Sequence, residues 1–152
     1  MAMDIEQRNS PQWLCSRGIE LLREGDRLRA LNMFEKSHQL GSNPECRSYL
    51  GMLTGTERGL VKQGIDLCRA SIEDEPKNPV HYLNLSKLLY SVDRKTEAVD
   101  LLVKARTIAP SQEVDTWIMS VGLRKRPVFP FLTRQNPVNR LTGLMLRRFG
   151  FR

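Results

Sequence analysis

The sequence predicts an all-α fold of stacked helical hairpins, and three observations carry that prediction. Residues recur in columns 34 positions apart: Ala30, Gly64 and Ala98; Leu31, Ile65 and Val99; Met33, Leu67 and Leu101; Phe34, Cys68 and Leu102; Ser37, Ser71 and Ala105. A fixed period of that length marks repeated supersecondary units, each too small to bury its apolar face alone. Pro11, Pro44 and Pro79 recur where a hairpin would start, each preceded by Ser or Asn. Proline is tolerated in a first helical turn because its missing N–H has no intrahelical partner there. Two of the five columns, Ala30, Gly64 and Ala98, and Ser37, Ser71 and Ala105, hold only Gly, Ala or Ser, although these types make up only 26 of 152 residues.

The elements follow in order. Ser10 caps a helix over about 11–24, and Gly25-Asp26 turns the chain into a second helix over about 27–40. Asn43 caps the next helix, about 44–55, and Gly55-Thr56-Glu57-Arg58-Gly59 is the predicted turn before a helix over about 60–74. Asn78 caps the third hairpin, with helices near 79–91 and 95–108, closing at Pro110. Ser111 then caps a lone helix over about 112–124, with apolar Val114, Trp117, Ile118, Val121 and Leu123. An array of this kind needs such a terminal helix, because the last hairpin would otherwise expose its apolar face. The expected organisation is a leader over 1–10, repeats over about 11–43, 44–78 and 79–111, the capping helix, and a tail over 125–152.

Charge divides the chain more sharply than composition does. The net charge is +7, yet residues 1–123 hold 16 Lys plus Arg against 17 Asp plus Glu, whereas 124–152 hold eight basic residues and no acidic one. A nearly neutral body therefore carries a basic tail. With 40% hydrophobic and 27% charged residues the chain suits a globular helical protein. No apolar run approaches the roughly 20 residues of a membrane-spanning helix, and 1–11 lacks the apolar core of a secretory signal, so the expected location is cytoplasmic. Cys15, Cys46 and Cys68 are odd in number and widely spaced, which points away from a disulfide framework or a zinc site.

These repeats resemble tetratricopeptide repeats over roughly 11–124. The resemblance rests on small residues at family positions, Gly18, Ala30 and Ser37, then Gly51, Gly64 and Ser71, then Ser86, Ala98 and Ala105, with Leu50, Leu85, Tyr82, Pro76 and Pro110. It departs at Arg17 and Arg47, where the family prefers a large apolar side chain, and at Ser42, which replaces a closing proline. The resemblance implies a right-handed superhelix, an α-solenoid of three hairpins with a capping helix, binding a segment of another protein on its inner face. That face would present Cys15, Ile19, Leu22 and Arg23 from the first hairpin, Tyr49 and Met52 from the second, and Leu83, Asn84, Lys87 and Tyr90 from the third. Gln12, Ser16, Glu45, Ser48 and Val80 would border them. By the same resemblance, Asn84 would hydrogen-bond the backbone of a bound peptide. The Lys, Asn and Arg set by which one subtype clamps a chaperone's C-terminal carboxylate corresponds here to Cys15, Ile19, Tyr49, Val80 and Asn84. Only Asn84 agrees, and a carboxylate without cations has little to hold it. Three-repeat secretion chaperones of bacteria have a similar length and an apolar groove.

Enzymatic chemistry has no motif to rest on. His38 and His81 lie in different repeats, the acidic run Glu73-Asp74-Glu75 reads as a solvated face, and there is no phosphate loop, nucleophile elbow or His-Glu-x-x-His. The expectation is an adaptor or chaperone-like module without catalytic residues, metal or cofactor, with self-association as a further possibility.

The tail departs from the period. Arg124, Lys125 and Arg126 lead into Pro127, Phe129, Pro130 and Phe131, an extended segment by its prolines. A short amphipathic helix over about 137–149 follows, with Leu141, Leu144 and Met145 on one side and Arg140, Arg147 and Arg148 beside them. Three uses compete for it: folding back on the array, binding an anionic membrane surface, or binding nucleic acid.

Overall fold

The computed structural model describes residues 9–121, and the chain divides into two units, Met1–Ser120 and Val121–Arg152. Seven helices are described, all in the first unit: α1 (Pro11–Arg23), α2 (Arg27–Gln39), α3 (Pro44–Arg58), α4 (Val61–Asp74), α5 (Pro79–Ser91), α6 (Lys95–Ile108) and α7 (Gln112–Ser120). No strand occurs among the described residues. The tail residues Arg124, Lys125, Arg126, Phe129, Phe131, Arg140, Arg147 and Arg148 lie outside the described residues, as do Leu123 and most of the leader.

Local chemistry sets the helix starts. Ser10 Oγ accepts from Trp13 N at 3.2 Å, Asn43 Oδ1 from Cys46 N at 2.8 Å, and Asn78 Oδ1 from Val80 N at 3.1 Å, so each hairpin opens on a side-chain cap followed by proline. Asp26 caps α2 in the same way through Arg29 N at 3.0 Å. Two boundaries differ from expectation. α3 runs through Gly55 to Arg58, and the chain turns at Gly59, whose φ of 71° is left-handed. Leu60 N then donates to Thr54 O at 3.3 Å. Gly55 is no breaker: it is buried, and a Cβ there would collide with the Leu88 side chain of α5. α7 ends at Ser120, short of the expected 124.

Each hairpin packs α1 on α2, α3 on α4 and α5 on α6, and successive hairpins join through α2–α3, α3–α5 and α4–α5, consistent with a helical repeat. α7 lies against α6 and α5. Three of the five periodic columns form the buried seam, while Met33, Leu67 and Leu101 are half-buried beside it. Ala30, Phe34, Ser37, Cys68, Ser71, Ala98, Leu102 and Ala105 are all 0% exposed. Two core clusters result, one around Phe34, Leu50 and Leu53, the other around Cys68, Leu88 and Ala98. The buried hydroxyls in this seam are satisfied: Ser37 Oγ donates to Pro11 O at 2.7 Å and Ser71 Oγ to Leu67 O at 2.9 Å. Arg47, at a position where an apolar side chain was expected, lays its guanidinium across the end of α4, donating to Ser71 Oγ and Ala70 O at 3.1 Å and pairing with Asp74. It therefore caps a helix C-terminus that has no basic residue of its own in the last turn.

Candidate functional site

A groove of about 850 Å³ opens on the side formed by the first helix of each hairpin and by α7. Its apolar lining comes from Ile19 and Leu22 of α1, Tyr49 and Met52 of α3, and Trp117 of α7. Packing fixes that lining. The Tyr49 ring stacks on Phe34, centroids 5.4 Å apart and planes 6° from parallel, while Trp117 meets Tyr90 edge-on at 5.9 Å. Both aromatic surfaces are thus held before any ligand arrives, which limits the entropy lost on binding.

The rim is cationic. Arg23, Arg27 and Lys87 border the groove against one carboxylate, Glu113. Lys87 Nζ lies 2.9 Å from Glu113 Oε1 and 5.8 Å from the Trp117 ring centre, and Arg27 Nε lies 2.6 Å from Glu57 Oε1. Arg23 makes no ion pair among the described residues. Burial pushes the Tyr49 phenol up from its ordinary range, with Glu113 and Glu45 adding to the rise and Arg23 opposing it. The phenol therefore stays protonated as a donor at neutral pH. Burial likewise raises Glu45, with Glu75 and Glu113 contributing.

The ten residues named for the inner face separate in the structure. Ile19, Leu22, Arg23, Tyr49, Met52 and Lys87 converge on the groove. Leu83 and Asn84 do not: both are 0% exposed. Asn84 Nδ2 donates to Ser48 Oγ at 3.0 Å, and its Oδ1 is buried without a protein partner, so the side chain is not presented to a bound peptide. The reason is geometric. α3 packs closely on α5, which seals the residues between them, whereas α1 does not pack as closely on α3 and leaves the groove open there. Cys15 is buried beside Cys46, and Tyr90 supports Trp117 from behind.

The wall from α7 was not anticipated. Gln112, Glu113, Thr116, Trp117 and Ser120 line the groove, and their spacing of three to four residues, on the side of α7 away from buried Val114, is the signal that marks them. Among the described residues no group of three or more His, Cys, Asp or Glu side chains is placed to share a metal ion, and no helix is long and apolar enough to cross a membrane. No protein-family model matches this chain, and no curated protein matches it significantly.

Proposed function

We propose that this protein is a tetratricopeptide-type adaptor or chaperone-like module of the cytoplasm, a right-handed solenoid that holds a segment of another protein in the groove between α1, α3, α5 and α7. The observation that carries this reading is the groove itself. It combines an apolar floor of preorganised aromatic and aliphatic side chains with a cationic rim, the composition found where protein segments dock: aromatic anchors at the centre, charge at the edge. Its volume falls within the range of sites that enclose a ligand.

The test is site-specific photo-crosslinking in the native cell. A benzophenone side chain replaces Thr116, exposed on the groove wall, or Asp100, exposed on α6 away from it. A discrete crosslinked protein from position 116 and none from position 100 is expected. The same adducts from both positions, or none from either, rejects the groove as the binding site.

A further inference from the structure

Resting on that reading of the groove, we infer that its occupant is an α-helical segment carrying an acidic side chain beside its apolar stripe, bound through Arg23. Two independent features of the lining lead there.

The first concerns hydrogen bonding. An extended peptide arrives with unpaired backbone N–H and C=O groups that the site must satisfy, whereas a helix satisfies its own. The hydroxyls on this wall are already engaged at home. Ser91 Oγ donates to Leu88 O at 2.7 Å, Thr116 Oγ1 to Gln112 O at 2.7 Å and Ser120 Oγ to Trp117 O at 2.8 Å. Thr56 Oγ1 accepts from Arg27 at 2.8 Å and donates to Glu57. Asn84, the residue suited to gripping an extended backbone, is buried and bonded to Ser48. With these hydroxyl protons spent, the groove keeps few free donors, the Gln112 amide and the Trp117 indole N–H, too few to pair the successive carbonyls of an extended chain. Its about 850 Å³ matches roughly two turns of a helix 10 Å across.

The second concerns charge. Lys87 and Arg27 spend their charge on Glu113 and Glu57. Arg23 lines the same groove as Tyr49, is exposed, and has no carboxylate partner among the described residues. A guanidinium on the edge of an apolar surface, with no carboxylate of its own, offers paired donors to an incoming carboxylate. An incoming Lys or Arg at that point would meet an unpaired like charge.

The experiment selects from a display library of helix-forming peptides, randomised on one face, against three full-length proteins: the natural chain, Arg23→Glu, and Thr116→Trp, which fills the groove from an exposed position. The natural chain is expected to enrich peptides with apolar residues at i, i+3 or i+4, and i+7, and with Asp or Glu one turn away. Arg23→Glu should bind these about tenfold more weakly and enrich Lys or Arg at the acidic position, a charge swap that general loss of structure cannot imitate. Enrichment of apolar helices with no acidic preference, of proline-containing extended peptides, or of the same peptides by the natural chain and Arg23→Glu, overturns the inference and leaves the groove as a docking site. Equal enrichment by the natural chain and Thr116→Trp, with both equally helical by circular dichroism, overturns the groove reading as well.

Discussion

Gly51 of α3 and Gly64 of α4 meet backbone to backbone: a Cβ on Gly51 would lie 2.7 Å from the carbonyl oxygen of Gly64 and 2.8 Å from Cys68 Sγ. A carbonyl in the middle of a helix cannot swing aside as a side chain does. Alanine would gain about 1 kcal/mol in helix propensity but would force the two helices apart in a close-packed core, at a cost of roughly 1–3 kcal/mol or more. Gly51→Ala is therefore expected to lose about 2 kcal/mol and to lower the melting temperature by roughly 4–8 °C, read by thermal circular dichroism. An unchanged melting temperature would mean that the α3–α4 spacing is softer than described.

Arg47 spans from α3 to the last turns of α4, reaching Ala70 O, Ser71 Oγ and the Asp74 carboxylate. Arg47→Met keeps the stem and removes the charge and donors, with an expected loss of about 1–2 kcal/mol in urea unfolding. Arg17, on the first helix of its own hairpin, pairs among the described residues with Glu20 and Glu24 at the surface, and Arg17→Met should leave the unfolding midpoint where it is. Equal losses at the two sites would argue that the α4 cap contributes nothing of its own.

The groove can be probed without its partner. Leu22 is half-buried on the lining, so Leu22→Glu should abolish crosslinking through position 116 while helicity persists. Leu83→Glu is expected to act differently. Leu83 is fully enclosed between helices, and a carboxylate there should unfold the third hairpin and lower helical signal, not selectively block binding. Identical behaviour of the two variants would refute the separation of groove from core.

All three cysteines are buried and free. Burial pushes the Cys68 thiol up to about 12. The Cys15 thiol is raised chiefly by its hydrogen bond with Cys46, then by burial, while the same bond lowers Cys46 against burial. Since the thiolate is the reactive form, iodoacetamide near pH 8 should leave Cys68 unmodified in the native protein and alkylate all three thiols in guanidinium, as read by mass spectrometry. Rapid native labelling of Cys68 would contradict its placement.

His81 is fully enclosed, with Nε2 3.1 Å from Glu75 Oε2 and Nδ1 buried without a partner. Burial lowers its proton affinity below the ordinary 6.5, with Glu75 and Asp74 opposing the shift and Arg47 reinforcing it. The unfolded chain therefore takes up this proton first, so the stability linked to His81 is full above about pH 6.5 and declines as pH falls below it. Urea midpoints should drop between about pH 7.5 and 5.5, and His81→Gln should flatten that slope. A slope unchanged by the substitution would assign the effect to groups other than His81; Glu45 is not among them, because its raised carboxyl acts in the opposite sense.

What the sequence made legible was whatever depends on near neighbours or on the period. Caps at Ser10, Asn43 and Asn78 followed from three-residue geometry, and the buried seam of Phe34, Cys68 and Leu102 followed from the spacing of 34. Gly55 was misread because its reason is tertiary: Leu88, 33 residues later in the chain, occupies the space a side chain would take. The split of the inner face had the same cause. Nothing near Asn84 or Leu83 in the chain reveals that α5 presses on α3, whereas the open spacing of α1 leaves Ile19 and Leu22 on a surface. Trp117 was legible as an apolar residue but not as a groove wall, since which side of α7 faces inward depends on its docking against α5 and α6.

The unequal spacing of the first helices also has a mechanical meaning. The first hairpin is fastened to the second mainly along the α2–α3 line, while the second and third are clamped along α3–α5 and α4–α5 together. One edge is a hinge and the other a weld. A given load therefore concentrates its deformation along the α2–α3 line, where the first hairpin moves as a unit and the Phe34–Tyr49 stack takes up the strain.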